Sequence, residues 1–250
     1  GTLGAIAFGL RHFRPNLPWA GVLANRVASA HHAQLLQQGL QDPTDWLGAL
    51  PRLGDSAGGK LLPERHLGLV AAHELPDALQ RLDAAADALA HTPLGQMDAA
   101  ALQRFAVDFA PPIAPASVPP LLAGRTVAVA RDAAFCFIYP ANVQTLEQLG
   151  ARVVYFSPVA GDRLPACDAV WLPGGYPELH LPRLQAATLL VQDLRAHVAA
   201  GKALWAECGG LMALAQSITL PDGTTHTLWG LLPGHVTLQR RLAALGAQQW

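Results

Sequence analysis

The residues most able to do chemistry lie in ALWAECGGLMAL, positions 203–214, where a short apolar run meets a lone cysteine, two glycines and a second apolar run. Cys208 falls at the predicted hand-over from a strand to a helix. A nucleophile on such a turn needs small residues two positions to either side, because the backbone is crowded there. Ala206 and Gly210 meet that need. The following helix directs its free N–H groups and the positive end of its dipole at the sulfur, the electrostatics that a thiolate nucleophile requires. Gly209, the next residue, is placed to offer its N–H to an oxyanion. A second donor is expected from a neighbouring strand end, and LPGGYPE at 172–178 can supply it. Gly174 and Gly175 let backbone approach a substrate closely, and Pro177 stiffens the exit.

The plain alternative for Cys208 is a buried structural thiol. The small–x–Cys–x–Gly spacing, with a Gly-Gly strand end upstream, favours the nucleophile. The other two cysteines get the plain reading. Cys136 lies among Phe135, Phe137 and Tyr139 and reads as a packed core thiol; Cys167 precedes Asp168 in a loop with nothing nearby to activate it.

The elements that must position these residues follow from periodicity. After residue 124, strands are predicted at 125–130, 151–158, 168–175 and 202–207, with helices at 140–149 and 184–200, closed by Gly150 and Gly201. KALWAE, 202–207, is apolar enough to read as a strand buried on both faces. Three strand–helix units in a row point to an open, doubly wound sheet, which places its site at the carboxyl ends of the strands. Before residue 107, a helix is predicted at 1–13, a strand at 19–24, a helix at 30–40, a short strand at 46–50, a strongly amphipathic helix at 75–90 and a short one at 97–106. This alternation argues for an α/β layer with a parallel sheet. Between the halves, VDFAPPIAPASVPPLLAG carries Pro111, Pro112, Pro115, Pro119 and Pro120, which forbid a helix and read as a semi-rigid linker.

Composition bounds the function classes. The 250 residues are 51% hydrophobic and 14% charged, enough to bury a substantial core. A formal net charge of −1 gives no reason to expect nucleic acid or an anionic membrane as a partner. No apolar run approaches the ~20 residues of a membrane span. The first residue is Gly1, and no basic flank precedes an apolar core with a cleavage site, so the start reads as mid-protein rather than a signal peptide. Three irregularly spaced cysteines form neither a disulfide framework nor a zinc pattern, which makes a reducing, cytoplasmic setting the default.

RDAAFCFIYPANVQTLEQLGARVVYFSP, LPGGYPELH and ALWAECGGLMAL together resemble the cobyrinic acid a,c-diamide synthase family, including its hydrogenobyrinic acid-specific members. These enzymes carry a class I-type glutamine amidotransferase domain behind an ATP-dependent synthetase domain. FGLRHF, GVLANRV and LPERHLGL look like the second half of that synthetase domain. The resemblance implies an α/β chain: the C-terminal half of a P-loop-type synthetase domain over 1–106, the linker over 107–124, and an incomplete doubly wound, flavodoxin-like amidotransferase domain over 125–250. Cys208 would attack the side-chain amide of glutamine, with the LPGGY backbone (Gly174, Gly175, Tyr176) and Gly209 holding the glutamine and its oxyanion. The ammonia released would pass to a site where ATP with Mg²⁺ activates carboxylates of the corrin ring, giving the a- and c-amides. Asn25 and Arg26 match the segment expected against the adenine; for Asn25, a turn-forming residue at a strand end is the equal alternative. Glu64, Arg65 and His66 read either as a polar loop or as a catalytic contribution. A homodimer is compatible with the resemblance.

The sequence departs from the family pattern at three places. Gly54–Lys60 has the glycine and lysine spacing of a phosphate-binding loop, but Leu61 replaces the hydroxyl that would hold Mg²⁺ and Pro63 blocks the helix. It reads as a decoy, with the true loop and the Mg²⁺ ligands expected before Gly1. The family's general-base histidine is expected beyond Trp250; His235 stands at a variable position, and His180 and His226 read as surface or loop residues. Ala141 replaces a usual glutamate beside Asn142. The chain therefore looks truncated at both ends. Cobyric acid synthase and nickel-sirohydrochlorin diamide synthase share this layout, and FCFIYP and LPERHLGL favour the a,c-diamide group. A cysteine hydrolase of the same elbow type is opposed by residues 1–106 and the linker, and a catalytically incomplete scaffold stands as the non-enzymatic alternative. These 250 residues alone are expected to support neither glutamine-dependent amidation nor ATP hydrolysis. A steady-state assay that yields an ATP-dependent amide product would overturn this expectation.

Overall fold

The computed structural model describes residues 1–52, 64–65, 68–70, 74–111 and 118–239. The glycine-rich segment 54–60, Leu61, Pro63 and His66 lie outside the described residues, as do Pro112 and Pro115 of the linker. The chain divides into two units, Gly1–Pro112 and Ile113–Trp250.

In the first unit, helix α1 (Thr2–His12) precedes β1 (Val22–Val27), α2 (Ala30–Gln38) and β2 (Trp46–Pro51). Two short strands, β3 (Glu64–Arg65) and β4 (Gly68–Leu69), form an antiparallel pair, and α3 (Ala78–Ala90) and α4 (Ala99–Gln103) follow. β1 and β2 run parallel, with Ala24, Val27 and Leu47 buried. Ser29 caps α2 by accepting the His32 N–H, and Asp98 caps α4 by accepting the Ala101 N–H at 2.7 Å. The strand predicted at 19–24 lies three residues further on. Gly21, at φ +135, packs where a side chain would meet the Asp45 carbonyl at 2.7 Å, so the ladder starts after it. Along α3 no residue is buried, and Leu79, Leu82 and Leu89 are exposed. The helix starts at Ala78 rather than at 75, just after Pro76 and Asp77.

In the second unit, β5 (Thr126–Ala130), α5 (Pro140–Gln148), β6 (Arg152–Phe156) and β7 (Ala169–Leu172) are followed by two helices, α6 (Leu181–Ala186) and α7 (Thr188–Ala199). Then come β8 (Ala203–Ala206), α8 (Gly209–Leu214), β9 (Ser217–Thr219), β10 (Thr225–Thr227) and β11 (His235–Thr237). The main sheet runs β6-β5-β7-β8, all parallel, and β10-β9-β11 form a second, smaller sheet. Apolar clusters lie on both faces of the main sheet. Leu172, Leu184, Leu190, Leu194 and Trp229 centre one, and Val127, Val129 and Trp171, with Val143 and Leu146 of α5, form the other. The chain is therefore α/β with parallel sheets.

Two expectations are corrected here. The helix predicted over 184–200 is two helices broken at Ala187, whose ψ of 43° is not helical. Leu184 and Leu190 are six residues apart and would point to different faces of one straight helix. Both belong to the same core cluster, and the break at Ala187 is what lets them. β8 is not buried on both faces: it is an edge strand among the described residues, and Trp205 is 68% exposed. The apolar run 202–206 fills only one face of the sheet, with Leu204 and Ala206 against the core. No described helix is long and apolar enough to cross a membrane.

The contrast between these positions is measurable. Leu194→Ala, deep in α7, should lower the unfolding free energy by about 2–5 kcal/mol, whereas Trp205→Ala should change it by about 0.5 kcal/mol or less, both read by urea denaturation. Equal losses would contradict the edge position of β8.

Candidate active site

The ends of β7 and β8 meet at residue 208. β7 and β8 pair in register up to Leu172 and Ala206, and the Glu207 N–H still reaches the Leu172 carbonyl at 3.2 Å. The chain then reverses: the Gly210 N–H donates to the Glu207 carbonyl at 2.8 Å, and the Cys208 carbonyl accepts from Met212 as α8 begins. Cys208, in the cap position, takes φ 48° and ψ −118°. This lies outside even the left-handed helical region that a few non-glycine residues visit, so the backbone is strained at this residue. The side chain is exposed rather than packed into hydrocarbon.

The spacing of small residues read from the sequence has a steric counterpart. A β-carbon on Gly210 would lie 2.1 Å from the Leu172 carbonyl oxygen, so no side chain fits two residues after the cysteine. Ala206, two residues before, is half-buried against the core. The structure also brings the predicted partners together. A β-carbon on Gly174 would stand 3.2 Å from the Cys208 Cβ, and one on Gly209 would stand 2.8 Å from the Gly175 carbonyl oxygen. Cys208, Gly209, Gly174 and Gly175 thus share one small surface at the carboxyl ends of β7 and β8. Gly209 is the first residue of α8, a position whose N–H has no partner within its own helix.

The expectation for Tyr176 concerns its backbone. Its ring is 1% exposed and packs edge-on against Phe137, with centroids 5.3 Å apart. Its side chain is a core element, and only its backbone borders the site. Glu207 accepts the Trp171 indole N–H at 3.0 Å, which ties the residue before the cysteine back to β7.

Sequence reasoning missed the loop after β5. Phe137 forms a bridge with Gly174 and donates its N–H to the Gly174 carbonyl at 3.0 Å. A β-carbon on Gly175 would fall 2.2 Å from the Ala134 carbonyl oxygen, so this loop lies flat against the Gly-Gly pair. Its residues enter the sequence reading only through the RDAAFCFIYP stretch of the family resemblance, not as part of the site. Cys136, in this loop, is half-buried rather than a core thiol; of the residues around it Phe135 takes the buried place, while Tyr139 is exposed. Cys167 precedes Asp168 outside the strands and keeps the plain reading of a structural thiol. It is buried, with its sulfur 3.9 Å from the His197 Nδ1. The His197 Nε2 donates to the Ala203 carbonyl at 2.9 Å, which fixes the ring beside the Cys167 sulfur. Burial pushes this thiol's pKa up, and the nearby Lys202 opposes that only in part.

Three further histidines have described places. The His235 ring is held by the hydroxyls of Ser217 and Thr219 at 2.7 and 3.0 Å on the small sheet. His226 is on β10, and His180 stands at the start of α6. In the first unit, Asn25 and Arg26 do not follow β1 but sit inside it, at an irregularity of its register. Arg26 takes φ +57°, and its N–H donates to the Asn25 side-chain oxygen at 2.8 Å. The strand bulges there and then resumes at the buried Val27, which is why it ends later than predicted. Glu64 and Arg65 form β3, a strand of two residues, rather than a loop. No group of three or more His, Cys, Asp or Glu residues suited to a metal occurs among the described residues.

Residues 126–249 match the model of the CobB/CobQ-like glutamine amidotransferase domain. The hydrogenobyrinate a,c-diamide synthase of Stutzerimonas stutzeri (strain A1501) is 49% identical over 248 residues, covering 99% of this chain and 55% of that protein. The protein of the same name from Pseudomonas aeruginosa is 48% identical over 251 residues, 99% of this chain and 54% of its own. The cobyrinate a,c-diamide synthase of Salmonella typhimurium is 39% identical over 250 residues, 98% of this chain and 53% of its own. The chain spans about half the length of the curated relatives it matches.

Exposure and burial set an order of thiol reactivity. Iodoacetamide at neutral pH should modify Cys208 first, Cys136 more slowly and Cys167 only on unfolding, as read by peptide mass spectrometry over time. Equal rates at the three sites would remove the structural distinction between them.

Proposed function

From the premise that the chain belongs to the cobyrinate and hydrogenobyrinate a,c-diamide synthase family, we propose that Cys208 is the nucleophile that releases ammonia from glutamine. The observation that carries this reading is the strained backbone of Cys208 beside Gly174 and Gly175. Its sulfur attacks the side-chain amide carbon of glutamine, forming the C–S bond while the carbonyl electrons move onto oxygen. The Gly209 N–H and the Gly174–Gly175 backbone are the donors for that oxyanion. Collapse of the tetrahedral adduct expels ammonia, the nitrogen taking up a proton, and leaves a γ-glutamyl thioester. Water then hydrolyses the thioester to glutamate and restores the thiol. The family resemblance implies a histidine as the base that takes the thiol proton; the His197 ring faces the Ala203 carbonyl, and the His235 ring is held by the Ser217 and Thr219 hydroxyls.

The finer architecture belongs to the same proposal. In order of appearance the main sheet runs second-first-third-fourth, which supports a flavodoxin-like, doubly wound amidotransferase domain with its site at the carboxyl ends of the strands. The first unit is proposed as part of a P-loop-type synthetase domain, joined through the Pro-rich segment. For the whole protein the activity is glutamine- and ATP-dependent amidation of the a- and c-side-chain carboxylates of cobyrinic or hydrogenobyrinic acid. ATP with Mg²⁺ supplies the activation of those carboxylates. The nucleotide contact proposed for this chain is confined to Asn25 and Arg26, both exposed at the register shift toward the carboxyl end of β1.

A γ-diazoketone analogue of glutamine, 6-diazo-5-oxo-L-norleucine, tests the glutamine reading on this chain. It should add one equivalent at Cys208 with saturable kinetics. L-glutamine should protect, L-asparagine should not, and Cys208→Ala should abolish the adduct. Labelling that glutamine leaves unchanged would exclude a glutamine site at this cysteine.

A further inference from the structure

Asp132 stands just beyond β5 and uses both carboxylate oxygens. Oδ1 accepts the N–H groups of Ala134 at 2.8 Å and Phe135 at 3.1 Å. Oδ2 accepts the Ser157 hydroxyl at 3.0 Å and the Val159 N–H at 2.8 Å, both just beyond the end of β6. One half-buried side chain thus binds the loop after β5 to the loop after β6. The first of these loops is the one on which the Gly-Gly pair rests. The Ala134 carbonyl and the Cys136 N–H lie where a Gly175 side chain would be, and Phe137 holds the Gly174 carbonyl. Gly174 in turn adjoins the Cys208 Cβ. A continuous line of contacts runs from the carboxylate to the nucleophile.

We propose that Asp132 is a positioning residue for the carboxamide site: by accepting four hydrogen bonds from two strand ends, it fixes the loop that sets the Gly174–Gly175 backbone beside Cys208. This rests on the reading of Cys208 as the nucleophile toward glutamine. Asp132 touches no reacting atom. Its effect is on how well the backbone donors are aimed at an oxyanion, and misplacement of such groups by a fraction of an ångström is costly in rate. An ionised carboxylate suits the task because it accepts at both oxygens. Asparagine keeps the size but turns a donor toward the Val159 N–H.

The test compares two electrophiles at Cys208 in the 250-residue chain. The glutamine-like diazoketone needs its ketone oxygen held by the backbone donors; iodoacetamide needs only an accessible sulfur. In Asp132→Asn, the maximal inactivation rate by the diazoketone should fall about tenfold or more, while the iodoacetamide rate stays within about twofold. Ser157→Ala removes one of the four donors and spares the others. It should shift the ratio of the two rates in the same direction by about threefold. Far-UV circular dichroism establishes that each variant is folded at the assay temperature. A ratio unchanged in folded Asp132→Asn, or both rates falling together, overturns the proposal. If Asp132→Asn does not fold, an unchanged ratio in Ser157→Ala overturns it. Absence of glutamine-protected labelling in the unsubstituted chain removes the site reading itself, and the role of Asp132 falls with it.

Discussion

The conformation of Cys208 depends on a close approach of backbone to backbone. β8 stays in register with β7 through Ala206, and one further ladder bond forms at Glu207. Two residues later the first turn of α8 lies so near the Leu172 carbonyl that only hydrogen fits on Gly210. The chain must therefore turn within the two peptides around residue 208, and Cys208 takes up that turn at φ 48°. Strain of this kind persists only where its surroundings leave the backbone no alternative. Here the parallel ladder on one side and the packed start of a helix on the other do so. The consequence is a side chain held out of the core, beside backbone groups rather than among hydrocarbon.

The remaining structure of the second unit serves that turn. The four parallel strands bring the segments after β5, β7 and β8 to one edge, and the apolar clusters on the two faces keep the strands level. Phe137 bridges the first two segments at Gly174, and the edge-on pair of Phe137 and Tyr176 packs beneath them. The glycines at 174 and 175 let three stretches of backbone meet with almost no side chain between them. The proposed oxyanion site rests on this close meeting of backbone, since acyl transfer at a thiol requires N–H groups near the incoming carbonyl.

The site was legible in the sequence where its requirement is for absence of bulk. Ala206, Gly209 and Gly210 around Cys208 announce a crowded turn, and Gly174-Gly175 announce a second strand end. The strands themselves were readable because parallel, buried strands are continuous apolar runs. What could not be read depends on contacts between segments distant in the chain. Nothing in KALWAE says whether a fifth strand lies beyond it, so the exposure of Trp205 was hidden. The break at Ala187 arises because Leu184 and Leu190 must reach one core cluster. Cys167 and His197 meet only because α7 lies against the starts of β7 and β8, thirty residues from the cysteine in sequence. The bulge at Asn25–Arg26 gave no periodic signal, since the apolar residues on either side of it keep a plausible strand spacing.

The strain at residue 208 can be measured without any substrate. Cys208→Gly and Cys208→Ala both delete the sulfur, but only glycine relieves the backbone, while in an unstrained position glycine is the worse choice by about 0.5–1 kcal/mol. Strain predicts that Cys208→Gly is more stable than Cys208→Ala by about 1 kcal/mol or more in urea denaturation. A Cys208→Gly protein less stable than Cys208→Ala would show that residue 208 sits in ordinary backbone, and the turn that presents the sulfur would not exist.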